Sequence, residues 1–184
     1  MPCLVIENVS KSFGGVRALD GVSFSIDDGE LVGLIGPNGS GKTTLINILS
    51  GHLAPDSGRV LLDGNSIEGL PPAELARRGV MRMFQLTRVF PRMSVIDNLM
   101  VAGCALGLPQ SEAEERAWQL VEDLSLTRVA ALDAGQLSGG QQKLLEFGSC
   151  FMVPPRIALL DEPFAAIHPT MKEIMAGFIR RRHA

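Results

Sequence analysis

Apolar positions along this chain change spacing in a regular order, from partial alternation to unbroken runs to helical spacing, with glycine or proline at most of the changes. LVIENVSKSFGG and VRALDGVSFSIDDGE alternate in part and are broken by Gly14, Gly15 and Gly21. They predict short strands in an antiparallel β lobe. ELVGLIG is an apolar run, which predicts a buried strand leading directly into a glycine loop. From Lys42, KTTLINILSG takes helical spacing and stops at Gly51. RVLLDG predicts a short strand, PPAELARRG a short helix opened by proline and closed by glycine, and VMRMFQ a strand ending at Gln85.

The middle of the chain, roughly Met93 to Gln136, reads as helical and as a separate small lobe. SVIDNLMVAGCALG begins at Ser94 with Asp97 three residues on, and SEAEERAWQLVEDLSL begins at Ser111 with Glu114 three on, both in the arrangement of a capping box. A further helix opens at Ser138. RIALLDEP predicts a buried strand ending on Asp161 and Glu162, and TMKEIMAGFIRRRHA an amphipathic helix. Strand, loop, helix and strand recurring in this order predict an α/β fold with a mainly parallel sheet, whose ligand lies beyond the carboxyl ends of the strands.

Length and composition narrow the function. A chain of 184 residues suits one domain, or one domain with a small appended lobe. A net charge of −3 without a long block of one sign argues against a nucleic-acid partner. Cys3, Cys104 and Cys150 are too scattered for a zinc site and odd in number, so they read as reduced, partly buried thiols of a cytosolic protein. The start, MPCLVIENVSK, is unlike a signal peptide, and no run has the length of a membrane span, so if a membrane matters here it must be reached through a partner.

Three stretches carry chemistry. GPNGSGKT, from Gly36, fits G-x-x-x-x-G-K-[ST] at every fixed position between a predicted strand and a predicted helix. Its glycines let backbone N–H groups curl around phosphate, Lys42 reaches the terminal phosphates, and the Thr43 hydroxyl can bind Mg2+. IALLDE delivers Asp161 to hold a metal through water and Glu162 to orient or deprotonate attacking water. LSGGQ admits two readings. Ser138 with Gln141 makes a capping box, and the consecutive Gly139 and Gly140 also make an anion site that complements a phosphate held elsewhere.

In this combination the chain resembles the nucleotide-binding subunit of an ATP-binding cassette (ABC) transporter. GPNGSGKT resembles that family's Walker A loop, LSGGQ its signature, IALLDEP its Walker B strand, Gln85 in RMFQLT its Q-loop, and SKSFGG its adenine-stacking loop with Phe13 as the aromatic. The resemblance implies a P-loop NTPase core, residues 1–92 with 154–184, joined to a helical signature lobe, 93–153. It implies ATP and Mg2+ as cofactors. Gly36, Pro37, Asn38, Gly39, Ser40, Gly41, Lys42, Thr43 and Thr44 would form the cradle, with Thr43, Gln85 and Asp161 toward the metal, and Glu162, Gln85 and Lys42 serving catalysis. Ser138, Gly139, Gly140 and Gln141 would act on the nucleotide of a second such subunit, homo- or heterodimeric, with ATP sandwiched between. Integral membrane subunits would hold the pair on the inner face of the cell membrane.

FQLTRVFPRMSVIDNLMVAG is similar to the branched-chain amino-acid uptake branch, with urea or another amide as an alternative cargo. A soluble ABC-family ATPase of translation or DNA repair, and a non-catalytic nucleotide-binding remnant, are the competing readings. Trp118 reads as packing, and Met81, Met83, Met93 and Met100 as core and interface filler. Two features depart from the family pattern. His168 in FAAIHP stands where the family has Asp or Asn, and the strand with a switch histidine that follows in the family has no counterpart in the last 22 residues, since His183 belongs to a basic helix end. The expectation is a C-terminally shortened cassette that binds ATP with little turnover.

Overall fold

The computed structural model describes residues 2–165 and 167–183; Met1, Ala166 within FAAIHP, Ala184 at the end of RRRHA, and the side chains of Pro2 and His183 lie outside the described residues. The chain divides into two compact units, Met1–Met81 and Arg82–Ala184.

In the first unit β1 (Pro2–Phe13) and β2 (Val16–Asp27) form the expected antiparallel hairpin, closed at Phe13 opposite Val16. β3 (Ser57–Leu62) pairs antiparallel with the other edge of β1, and the two-residue β4 (Asn65–Ser66) follows it, giving the order β2-β1-β3-β4. Leu4, Ile6 and Val9 of β1 and Val60 and Leu62 of β3 are buried. So are Leu45, Ile48 and Leu49 of α1 (Lys42–Leu49) and Leu75 of α2 (Pro72–Arg77). Each such side chain contributes about 1.5–3 kcal/mol on leaving water.

One expected strand is corrected. ELVGLIG forms no strand: Leu31, Val32, Leu34 and Ile35 are 66, 46, 46 and 91% exposed, and among the described residues no strand pairs with this segment. An apolar run favours a buried strand only where neighbouring strands supply a ladder and two covering faces, and the residues here lack that ladder.

In the second unit the end of β5 (Val80–Met83) lies beside β6 (Ile157–Leu160), with the Asp161 N–H donating to the Met83 carbonyl at 3.4 Å. β5 stops at Met83, two residues short of the expected Gln85. α3 (Val95–Ala105) is capped as expected, the Ser94 hydroxyl accepting the Asp97 N–H at 3.0 Å. α4 (Gln110–Asp123) differs. It begins after Pro109, so Ser111 sits inside the first turn and caps nothing. Proline's fixed φ favours the start of a helix, and at this boundary it overrides the serine.

α5 (Gly139–Ser149) and α6 (Pro169–His183) complete the unit. Leu99, Leu120, Val121, Leu124, Leu144, Leu145, Phe147, Met175 and Phe178 are buried in it. Met83 is fully buried, while Trp118 is 47% exposed, so the tryptophan is half in solvent instead of packed. All three cysteines are free; Cys3 and Cys150 are buried and Cys104 is exposed, contrary to a partly buried reading of it. Burial pushes the Cys150 thiol up to about 12, which leaves it protonated and inert. Among the described residues no helix is long and apolar enough to cross a membrane.

Candidate functional site

The glycine loop of the first unit runs from Gly36 into α1, whose first residue is Lys42. Gly41, the cap residue, stands at φ 90, and a Cβ there would collide with the Ala18 carbonyl oxygen and come 2.8 Å from Leu19 Cδ2. Only glycine fits this position. Among the described residues no side chain caps α1, and no acid lies in its first turn. Its leading N–H groups and positive dipole end are therefore available to an anion.

Lys42 Nζ donates to the carbonyls of Gly36 at 2.7 Å and Pro37 at 2.8 Å, which folds the ammonium over its own loop. The Ser40 N–H donates to the Pro37 carbonyl at 3.2 Å. Asn38, Gly39 and Thr43 are exposed and Thr44 is half-buried. Phe13, at the tip of the β1–β2 hairpin, is 49% exposed, with Lys11 Nζ 5.8 Å from its ring centroid. The face of an aromatic so exposed can stack on a flat ligand.

In the second unit Asp161 and Gln85 come to the same end of the β5–β6 pair. Asp161 follows β6, and its N–H bonds to Met83, two residues before Gln85. The Asp161 carboxylate lies 3.4 Å from the Arg82 guanidinium, with side chains 15% and 9% exposed. Desolvation lowers the Arg82 pKa, and the adjacent Asp161 charge opposes it. Gln85 and Glu162 are exposed. Glu162 stands at φ 48, a left-handed conformation uncommon outside glycine, and such strained backbone clusters at functional sites.

Of the two readings of LSGGQ, the cap is observed directly. The Ser138 hydroxyl accepts the Gln141 N–H at 3.3 Å, and Gln141 Oε1 accepts the Ser138 N–H at 3.0 Å. The glycines differ. A Cβ on Gly139 would meet open space, whereas one on Gly140 would collide with Met171 of α6. His168, the family departure, accepts the Thr170 N–H through Nδ1 at 3.4 Å, and its carbonyl accepts from Met171 and Lys172. It opens α6 as a cap.

Several residues that shape this region were not singled out from sequence. Asn98, 5% exposed, accepts the Phe90 N–H at 2.7 Å and donates to the carbonyls of Phe90, Met93 and Ser94 at 2.9–3.1 Å, pinning the segment that follows Gln85. Lys143 and Glu146, 6% and 5% exposed, lie on the inward face of α5. Their signal was two charges inside an apolar helical pattern.

Glu146 Oε1 accepts the Phe84 N–H at 3.3 Å, and Oε2 meets no hydrogen-bond donor among the described residues. Burial raises its pKa above the ordinary 4.5, with the backbone N–H groups of Phe84 and Arg88 and the charges of Lys143 and Arg88 pulling the other way. A carboxyl raised in the folded state contributes stability that is whole below pH 4.5 and is lost as pH rises through the folded value. Glu146→Gln keeps an acceptor for Phe84 and removes the charge. It is expected to stabilise the protein by on the order of 1 kcal/mol at neutral pH, in urea titrations, with the gain vanishing in acid below the ordinary carboxylate range.

The glycine loop, the capped signature turn and the Asp161–Glu162 strand end coincide with a known family: the ABC transporter family matches residues 19–165. BraF of Pseudomonas aeruginosa, a high-affinity branched-chain amino acid transport ATP-binding protein, is 38% identical over 98% of this chain and 76% of its own length. LivG of Methanocaldococcus jannaschii, a probable branched-chain amino acid transport ATP-binding protein, is 40% identical over 92% of this chain and 71% of its own. Among solved structures, a nucleotide-free ATP-binding cassette from an ABC transporter is 34% identical with TM-score 0.86, covering 100% of this chain and 78% of that one. A dimeric cassette in a post-hydrolysis state, bound to ADP and Pi, is 27% identical with TM-score 0.85, covering 98% and 82%. By its motifs, its α/β P-loop fold and these likenesses, the chain belongs to the ABC transporter family of P-loop ATPases.

Proposed function

We propose that this chain is the ATP-binding and ATP-hydrolysing subunit of a membrane importer for branched-chain amino acids. The observation that carries the reading is the uncapped start of α1, with Lys42 folded over a loop that only glycine can form at position 41. The names of the relatives, branched-chain amino acid transport ATP-binding proteins, support the cargo over urea or another amide.

In this reading Gly36, Pro37, Asn38, Gly39, Ser40, Gly41, Lys42, Thr43 and Thr44 hold the phosphates, and Phe13 stacks on the adenine. Lys42 exchanges the two carbonyls it now bonds for terminal phosphate oxygens, which costs little because both partners are acceptors. The donor set for Mg2+ is hard oxygen throughout, as that ion requires: the Thr43 hydroxyl, the Gln85 amide and the Asp161 carboxylate. Mg2+, when bound, neutralises charge developing on the transferred phosphoryl group. Glu162 orients and accepts a proton from the attacking water.

The division of labour follows residues 1–92 with 154–184 as the nucleotide core and 93–153 as the helical lobe. A second subunit supplies its own Ser138, Gly139, Gly140 and Gln141 to this chain's nucleotide, a reading supported by a relative solved as a dimer with ADP and Pi. Membrane-embedded subunits hold the pair on the inner face of the membrane. Binding rests on Lys42 and its loop, which already act in the ground state, while turnover rests in addition on Gln85 and Glu162.

Calorimetric titration with Mg-ATP, followed by phosphate release and pull-down with the membrane subunits of a branched-chain uptake system, tests this. Saturable binding with slow release and co-purification is expected. No affinity for Mg-ATP overturns the reading as a whole, and capture by urea-uptake subunits instead overturns the cargo.

A further inference from the structure

Lys and Glu are almost never fully buried unless they are engaged. α5 carries one of each, a turn apart, among the buried Leu144, Leu145, Phe147 and Gly148. Among the described residues they form no ion pair with each other; each faces a different loop.

Lys143 Nζ donates to the carbonyls of Glu162 at 3.1 Å and Ala165 at 3.0 Å. Those carbonyls belong to one turn, closed by the Ala165 N–H donating to the Glu162 carbonyl at 3.1 Å. The turn begins at Glu162 with its left-handed φ of 48. Such a conformation persists only where its surroundings over-determine it, and an ammonium bonded to two carbonyls of the turn is that restraint. Glu146 works on the other loop. Its carboxylate accepts the Phe84 N–H, immediately before Gln85, and the Phe84 ring has the Arg82 guanidinium at 4.8 Å and that of Arg88 at 3.8 Å from its centroid. At the head of the same helix, the capping box fixes Ser138 and Gln141.

We propose that Lys143 and Glu146 are separate positioning residues, Lys143 setting the Glu162 turn and Glu146 setting the approach to Gln85, so that α5 holds both loops in register with the signature turn. The proposal rests on the reading that Glu162 and Gln85 serve ATP hydrolysis. A merely structural pair would loosen the whole unit when either charge is lost. Positioning residues loosen one loop each.

Hydrogen–deuterium exchange on the full chain separates the two. Lys143→Met, which keeps the aliphatic stem, is expected to raise exchange across residues 162–165 by about fivefold or more and leave 84–88 unchanged, with Glu146→Leu giving the reverse. Lys143→Arg and Glu146→Gln, which retain a donor and an acceptor, restore the wild-type pattern. In single-turnover assays Lys143→Met is expected to slow ATP hydrolysis roughly tenfold or more while its Kd for ATP stays within about twofold.

Exchange that rises together in both loops and in α3 and α4, or rises in neither, overturns the proposal. So does an unchanged hydrolysis rate in Lys143→Met where the wild type turns over. The exchange arm decides the matter even where turnover is too slow to follow. Failure of the wild type to bind ATP would instead sink the functional reading and leave the loop-specific exchange intact.

Discussion

Replacing Lys42 with alanine is expected to abolish the stabilisation that Mg-ATP confers, about 2.7 kcal/mol at a hundredfold excess over Kd, while leaving the ligand-free protein nearly as stable as before. The second half follows from geometry. Among the described residues Lys42 Nζ bonds only to carbonyls of its own loop, Gly36 and Pro37, in a segment open to solvent. Water replaces such bonds, so the loss lies within about 0.5 kcal/mol. The first half follows from charge. The N–H groups of α1 remain in the variant and still face an anion, but no cation remains among Gly36–Thr44 to meet the terminal phosphates. For a chain of this length the ligand effect corresponds to a rise in Tm of roughly 5–10 °C, readable by thermal shift with Mg-ATP, using Mg-AMP as the control without terminal phosphates. A variant that keeps the wild-type shift would show that the phosphates are held elsewhere.

What could be read from sequence divides by the distance between interacting partners. The Ser94 and Ser138 caps were legible because donor and acceptor lie three residues apart, and both form as expected. The glycine loop was legible because its demand is local too, positive φ at Gly41 followed by a helix. The Leu31–Ile35 strand was misread because a ladder depends on residues far along the chain, and apolar composition says nothing about whether they come to lie beside it. Ser111 failed for a local reason, the competing Pro109.

Lys143 and Glu146 sat in plain view in QQKLLEF, but their partners, Glu162 and Phe84, lie 19 and 62 residues away. No spacing rule reaches that far. His168 shows the converse. It was singled out as standing where the resemblance implies Asp or Asn, and what it makes is a local cap, accepting a backbone N–H two residues on.

The largest loss of stability is expected from Phe147→Ala. Phe147 is fully buried on α5, its ring centroid 4.9 Å from that of Phe151 and 5.3 Å from that of Phe178 on α6, in tilted and edge-to-face arrangements. Phe151 and Phe178 also meet, at 5.0 Å, so the three rings close a triangle and removing one leaves the other two facing a void. Loss of a buried phenyl ring costs about 3–5 kcal/mol where the site cannot collapse. Two aromatic pairs worth roughly 0.5–1.5 kcal/mol each place this site toward the upper end. Phe147→Leu refills much of the volume and should cost well under half as much.

The single tryptophan, Trp118 on α4, belongs to the same unit as Phe147, so urea unfolding followed by its fluorescence reads this unit directly. The midpoint should fall markedly with little change in slope, since both forms expose the same surface on unfolding. Order at Ser138 and at the Glu162 turn should be lost together with α5 packing at moderate urea. A midpoint equal to that of the wild type would mean that the three rings touch without anchoring α5, and the helix that carries Ser138, Lys143 and Glu146 would then need another support.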